Sequence, residues 1–213
     1  MDTINRPAEL REIVSTEEEL VSVLGEPNPR AIAKSIKELD DICLAFIARS
    51  PFVLIASSDS AGRVDVSPKG DLPGFAHPLD RSTLAIPERP GNRRADTFRN
   101  VLQNPRVGLI FIIPGKGETL RVSGTARIAR DAWLRERMAV EGRVPSLALV
   151  VSVEEAFMHC TKCMVRSRLW KPETWNSSGL ASMAEMVVVH AKLDMPVAEL
   201  EAMSEQDVRT RLY

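Results

Sequence analysis

The sequence predicts a mainly β fold with α elements, a small antiparallel barrel carrying helical extensions at both ends. Three observations carry that expectation. Apolar residues recur at period two through much of residues 52–153. Turn chemistry, as in Asp59-Ser-Ala-Gly62 and Pro114-Gly-Lys-Gly117, separates the short apolar runs. Before Ser50 and after Pro172 the apolar spacing becomes helical instead. Short strands between turn signals, framed by helices, fit a barrel better than alternating βαβ units.

Residues 1–48 read as helical. Ser15-Thr-Glu-Glu-Glu19 carries the acids of a helix start. Gly25-Glu-Pro-Asn-Pro29 then breaks the chain. Ile32, Ile36, Leu39, Cys43, Phe46 and Ile47 recur three or four apart, the stripe of a second helix that Ser50-Pro51 ends. Residues 52–56 form a short apolar strand, and residues 63–67 alternate after the turn. Residues 70–81 read as a long connection carrying His77, which either lines a substrate entrance or, the preferred reading, is an ordinary surface loop. A strand at 83–86 enters a Pro/Gly-broken turn. A short helix opens near Asp96 and stops at Asn104-Pro105, and residues 107–113 form another apolar strand.

The cleanest alternation spans residues 119–130. Leu120, Val122, Ala126 and Ile128 point one way, and Arg121, Ser123, Thr125 and Arg127 the other. Gly124 interrupts the apolar face and signals a bulge or a close backbone approach. Residues 131–141 read as a helix, with Trp133 and Leu134 covering core. Residues 147–153 read as a buried strand. Residues 180–192 and 196–211 read as two closing helices, the second with Pro196 in its first turn. The whole reads as one domain over 1–213: a helical extension (1–48), a barrel (49–172) and C-terminal helices (173–213).

Composition excludes several functions. The 213 residues are 44% hydrophobic and 27% charged, as in ordinary globular proteins. A net charge of −1, from 28 basic and 29 acidic residues, argues against a nucleic-acid binder. No apolar run reaches membrane-helix length, and residues 1–30 show no secretory pattern. Three cysteines make no disulfide framework, so a cytoplasmic setting is expected.

The chemistry concentrates between residues 66 and 111. Pro87-Glu-Arg-Pro-Gly-Asn-Arg-Arg94 carries Asn92, Arg93 and Arg94 from a strand end into a helix start, a setting that suits phosphate. Val66-Ser-Pro-Lys-Gly70 ends another strand with a third cation, Lys69. The competing reading of Arg93 and Arg94 is a solvated turn. Cys160-Thr-Lys-Cys163 has CxxC spacing, but zinc needs four ligands and only Cys43 and the distant His77 and His190 remain, so no metal is expected. The pair reads as partly buried thiols at a strand–helix junction, and His159 as a junction histidine. Met183, Met186, Val187 and Val188 form a helix face seeking a partner, such as another subunit.

In order, Val66-Ser-Pro-Lys-Gly70, Arg89-Pro-Gly-Asn-Arg-Arg94, Asn104-Pro-Arg-Val-Gly-Leu-Ile-Phe111 and Glu118-Thr-Leu-Arg-Val-Ser-Gly-Thr-Ala126 resemble the pyridoxamine 5′-phosphate oxidase-like flavoproteins. Phe157-Met-His-Cys-Thr-Lys-Cys-Met-Val-Arg-Ser-Arg-Leu-Trp170 resembles the segment closing the barrel in one FMN-dependent branch. The resemblance covers residues 45–175. It implies a Greek-key split β-barrel and a homodimer with FMN at the subunit interface. Carried onto this chain, it implies that Lys69, with Ser67 beside it, and the pair Arg93 and Arg94 hold the FMN phosphate. Asn92 would help to cradle it, and Pro87 and Glu88 would flank the flavin. Thr119 would reach the cofactor from the second subunit, and Arg166 and Trp170 would approach the ring system.

Two departures bear on the substrate. Val64 stands where the oxidase proper has an arginine, and residues 173–213 read as helices where the oxidase has an arginine-rich segment for its substrate's phosphate. The expected activity is therefore an FMN-dependent oxidoreductase acting on an unidentified small molecule, with no catalytic base assigned. A flavin carrier or sensor, or the same barrel with a deazaflavin or haem, remains the alternative.

Overall fold

The computed structural model describes residues 10–213. The part of the helical extension in residues 1–9 lies outside the described residues. The chain divides between Ser35 and Ile36 into two compact units. In the first, α1 (Glu17–Leu24) opens with a reciprocal cap: the Thr16 hydroxyl accepts from the Glu19 amide at 3.2 Å, and the Glu19 carboxylate accepts from the Thr16 amide at 3.3 Å. Asn28 caps α2 (Pro29–Ala33), whose proline occupies the first turn.

The apolar stripe of residues 32–47 is not one helix. α2 ends at Ala33, Ile36 forms a bridge with Ala156, and α3 (Asp41–Ile47) starts afresh. The cause is Asp40, whose carboxylate accepts from the Cys43 amide at 2.8 Å and sets a new helix start. Burial divides accordingly. Leu39, Cys43, Phe46 and Ile47 enter the core, while Ile32 is 61% exposed.

The second unit is built on one seven-stranded antiparallel sheet. Its strands are β1 (Phe52–Ser58), β2 (Val64–Gly70), β3 (His77–Asp80), β4 (Thr83–Pro87), β5 (Arg106–Ile112), β6 (Thr119–Ala129) and β7 (Ala148–His159), in the order β2-β1-β5-β6-β7-β4-β3. Register puts like with like on the inner face. Ile55 pairs with Leu109, Leu109 with Val122, Val122 with Ala156, and Val151 with Leu84. These residues are buried in one core with Phe46, Phe98 and Phe111.

The sheet curls until β2 and β4, distant in strand order, meet at their ends. Two ion pairs span that seam, Lys69–Glu88 at 3.4 Å and Arg89–Asp71 at 2.6 Å. The helix α4 (Asp96–Val101) packs on β1, β2 and β6 and buries Phe98 and Val101 there. The result is a split antiparallel barrel with helices at both ends.

Gly124 combines both features expected of it. Ser123 faces Glu155 and Gly124 faces Val153, so Glu154 is the extra residue of a bulge. A β-carbon on Gly124 would lie 1.9 Å from the Ser152 carbonyl oxygen, which only glycine permits. The bulge also explains why β7 exceeds the expected 147–153: it runs on to His159 through the charged Glu154 and Glu155.

Two further readings need correction. The connection 70–81 contains β3, an edge strand that tolerates Pro78, so His77 pairs with Ala85 and is not on a surface loop. Trp133 is 58% exposed and covers no core. On α5 (Ala132–Arg137) it is Leu134, with Met138 just beyond, that packs against Ala85 and Ala148. Trp133 precedes that face by about 100° of helical rotation. The C-terminal region forms α6 (Lys162–Ser167), α7 (Met183–Ala191) and α8 (Val197–Arg211).

Candidate functional site

At the seam, β2 brings Ser67 and Lys69 to the inner edge of the barrel, because they alternate in phase with buried Ile55 and Val53. β4 delivers Pro87 and Glu88 to the same place, and the Glu88 amide is anchored on the Leu147 carbonyl at 2.9 Å. With the loop beyond them, these residues enclose a cavity of about 330 Å³, also lined by Phe75, Asn92 and Arg93. The Lys69 ammonium reaches Glu88 at 3.4 Å and sits 5.8 Å from the centre of the Phe98 ring.

The loop is held in an unusual shape. The Asn92 carboxamide oxygen accepts from the Arg94 amide at 3.0 Å, and the Arg94 carbonyl accepts from the Arg99 guanidinium at 3.0 Å. Arg93 (φ 61°) and Ala95 (φ 56°) both adopt the left-handed conformation. For non-glycine residues that costs about 1 kcal/mol or more each, a strain that concentrates at ligand sites. Arg93 has no carboxylate partner among the described residues, and it lines the cavity.

The expected cluster of cations is therefore divided. Ser67, Lys69, Pro87, Glu88, Asn92 and Arg93 come together around one cavity. Arg94 does not line it; its guanidinium bonds Asp96, which does, at 2.8 Å. Asp96 also alters the reading of the helix start: α4 is six residues long, and its own carboxylate occupies the first turn. Anion-binding capacity here rests on the side chains of Lys69 and Arg93. Thr119, Arg166 and Trp170 do not line the cavity. Thr119 is buried opposite His159, the Trp170 indole donates to the Lys116 carbonyl at 2.8 Å, and Arg166 is exposed on α6.

A second feature had no local sequence signal. The Asp71 side chain is 1% exposed, yet it accepts from Arg89 at 2.6 Å, from the Tyr213 hydroxyl at 2.7 Å and from the Leu72 amide at 2.7 Å. Burial pushes its carboxyl up, but the Tyr213 hydroxyl, the Leu72 amide and Arg89 together hold it below the usual carboxylate range. Reciprocally, the bond to Asp71 raises the Tyr213 hydroxyl. Arg89 also lies 5.5 Å from the Tyr213 ring centre. The three residues are far apart in sequence, so only the folded barrel joins them. Nearby, burial, aided by Arg137 and Arg89, lowers the His77 pKa.

The CxxC thiols differ from expectation too. Cys160 and Cys163 are both exposed: β7 ends before them, and α6 buries none of its residues. Among the described residues no group of His, Cys, Asp and Glu is placed to hold a metal, and no helix is long and apolar enough to cross a membrane.

An antiparallel split barrel with a cation-bearing cavity at its seam defines the class of the protein. A family model described as pyridoxamine 5′-phosphate oxidase matches residues 39–160, more than half of the chain, and the chain belongs to that family. Solved structures are similar to it at low identity. HupZ of Group A Streptococcus is 18% identical, covering 58% of this chain and 95% of its own, with a TM-score of 0.48. A putative pyridoxamine 5′-phosphate oxidase from Lactobacillus delbrueckii is 21% identical (57% and 99% covered, TM-score 0.45). An FMN-binding protein from Syntrophomonas wolfei is 11% identical (55% and 87% covered, TM-score 0.42). No curated protein matches the sequence.

Proposed function

We propose that the protein is an FMN-dependent oxidoreductase, a cytoplasmic homodimer that binds FMN at the subunit interface and acts on a small molecule. The observation that carries this reading is the convergence of Lys69 and Arg93, from separate segments, on one cavity at the barrel seam. The residues fit a phosphate dianion. Arg93 offers a guanidinium fork free of any carboxylate among the described residues. The Lys69–Glu88 contact, at 3.4 Å, is long enough for phosphate to displace. When bound, FMN supplies two-electron chemistry; this chain supplies position and charge.

Size supports a shared site. Ligand pockets run from about 300 to 1,000 Å³, and a cavity of about 330 Å³ suits the phosphate-bearing tail with the ring system outside it. The outer face of the barrel supports the dimer. α5 covers the part formed by β4 and the early half of β7. The rest presents Leu54, Val64, Val66 and Ile110, with Val64 72% and Val66 55% exposed. Exposed apolar residues grouped on one sheet face in this way support an association surface. Thr119, Arg166 and Trp170 would then reach the ring system from the partner subunit.

The test is the visible spectrum of freshly isolated protein and the mass of whatever small molecule it releases. FMN supports the reading; a deazaflavin or haem overturns the cofactor. If bound, reduced FMN is reoxidised by no acceptor faster than free FMN is, the protein is a carrier or sensor and not an enzyme.

A further inference from the structure

The CxxC segment forms the corner between β7, which ends at His159, and α6, which begins at Lys162. Thr161 has helical angles (φ −75°, ψ −11°), and its carbonyl accepts from the Val165 amide at 3.0 Å. Cys160 and Cys163 are therefore the first and fourth residues of a tight helical turn. The α-carbons of such a turn lie within about 7 Å, and a disulfide spans α-carbons about 4.4–6.8 Å apart. Side-chain rotation with little backbone movement joins them. The corner is also held in place, since Thr161 packs so closely over Gly117 that a β-carbon there would meet its methyl group at 2.9 Å. Both cysteines are free and exposed, as attack by a reagent requires.

We infer that Cys160 and Cys163 form a dithiol–disulfide exchange site whose substrates are small-molecule disulfides such as oxidised glutathione. One cysteine sulfur attacks the reagent, breaks its S–S bond, releases one glutathione thiol and forms a mixed disulfide. The other cysteine sulfur attacks the first, releases the second glutathione and closes the intrachain S–S bond. The two cysteines lose two electrons, the reagent gains them, and both thiol protons leave on the released glutathione. The barrel context argues against a thioredoxin fold but not against this chemistry, which needs only adjacent, accessible sulfurs. Oxidation would lock the first turn of α6, the helix leading to Trp170 and its bond to the turn before β6.

Cys43 provides an internal control. It is buried in the core, and burial, with the Asp40 carboxylate beside it, pushes its thiol up to about 11. The experiment treats the full-length reduced chain, under argon, with oxidised glutathione and follows intact mass and thiols reactive toward an aromatic disulfide. The expected result is two reactive thiols before treatment and none after, with Cys43 appearing only in denaturant. The native mass falls by two hydrogens, peptide mapping joins Cys160 to Cys163, and a thiol reductant reverses the change. Cys160→Ser and Cys163→Ser each retain one glutathione as a stable adduct. Two glutathiones held on the native chain, a disulfide between chains, or no reaction at either cysteine would overturn the proposal.

Discussion

Replacing Asp71 by asparagine removes one charge from the point where the barrel is joined. Asp71 is 1% exposed and its partner Arg89 16%, so the substitution leaves a guanidinium nearly enclosed and uncompensated. Breaking a fully buried ion pair on one side costs about 3–5 kcal/mol. Arg89 keeps some access to water, and asparagine still accepts from Tyr213 and Leu72, so about 2–3 kcal/mol is expected. For a protein of this size that lowers Tm by about 4–12 °C. Urea unfolding of the native chain, Asp71→Asn, Arg89→Gln and the double variant gives the coupling energy, expected above about 1 kcal/mol. A single variant within about 0.5 kcal/mol of native, or additive effects in the double variant, would refute the seam as a joined element. The acid limb gives a second readout. The Asp71 carboxyl is held below its unfolded value, so its stabilisation is complete above about pH 4 and is lost as pH falls through the lower folded value. In Asp71→Asn that part of the acid sensitivity disappears.

Three other substitutions probe fold and assembly. Gly124→Ala places a methyl group 1.9 Å from the Ser152 oxygen, so soluble folded protein should be lost; a native Tm would show that the bulge relaxes freely. Val66→Glu costs a monomer within about 0.5 kcal/mol because the site is exposed, yet it buries a charge in the proposed dimer. Sedimentation should show monomers that release cofactor, and an unchanged dimer would move the interface elsewhere. Asp40→Ala removes the cap that separates α3 from α2 and should cost about 1 kcal/mol in urea unfolding; no change would mean that core packing alone starts the helix.

How legible each element was in the sequence depends on the range of its signal. β6 was readable because its residues alternate without competition, and Gly124 stood out as the one position breaking the pattern. β3 escaped because four residues with a proline carry too little pattern to distinguish an edge strand from a loop. The stripe at 32–47 misled because Ile36 and Leu39 keep helical spacing while Asp40 resets the helix after them. At the site, strand-end chemistry singles out Lys69 and Arg93, and the fold brings both to one cavity. Arg94 is paired with Asp96, two residues on, a competition for its guanidinium that the basic motif does not signal. The Asp71–Arg89–Tyr213 group depends on contacts up to 142 residues apart, beyond any local motif.

The measurement closest to the central claim compares FMN with riboflavin, which lacks only the phosphate, for binding to cofactor-free protein. Two charge-assisted contacts, discounted for exposure, amount to about 3 kcal/mol, or roughly 100-fold tighter binding of FMN. Lys69→Gln with Arg93→Gln should erase that preference while leaving riboflavin affinity unchanged. Equal affinity for the two ligands in the native protein, or an undiminished preference in the double variant, would contradict the account.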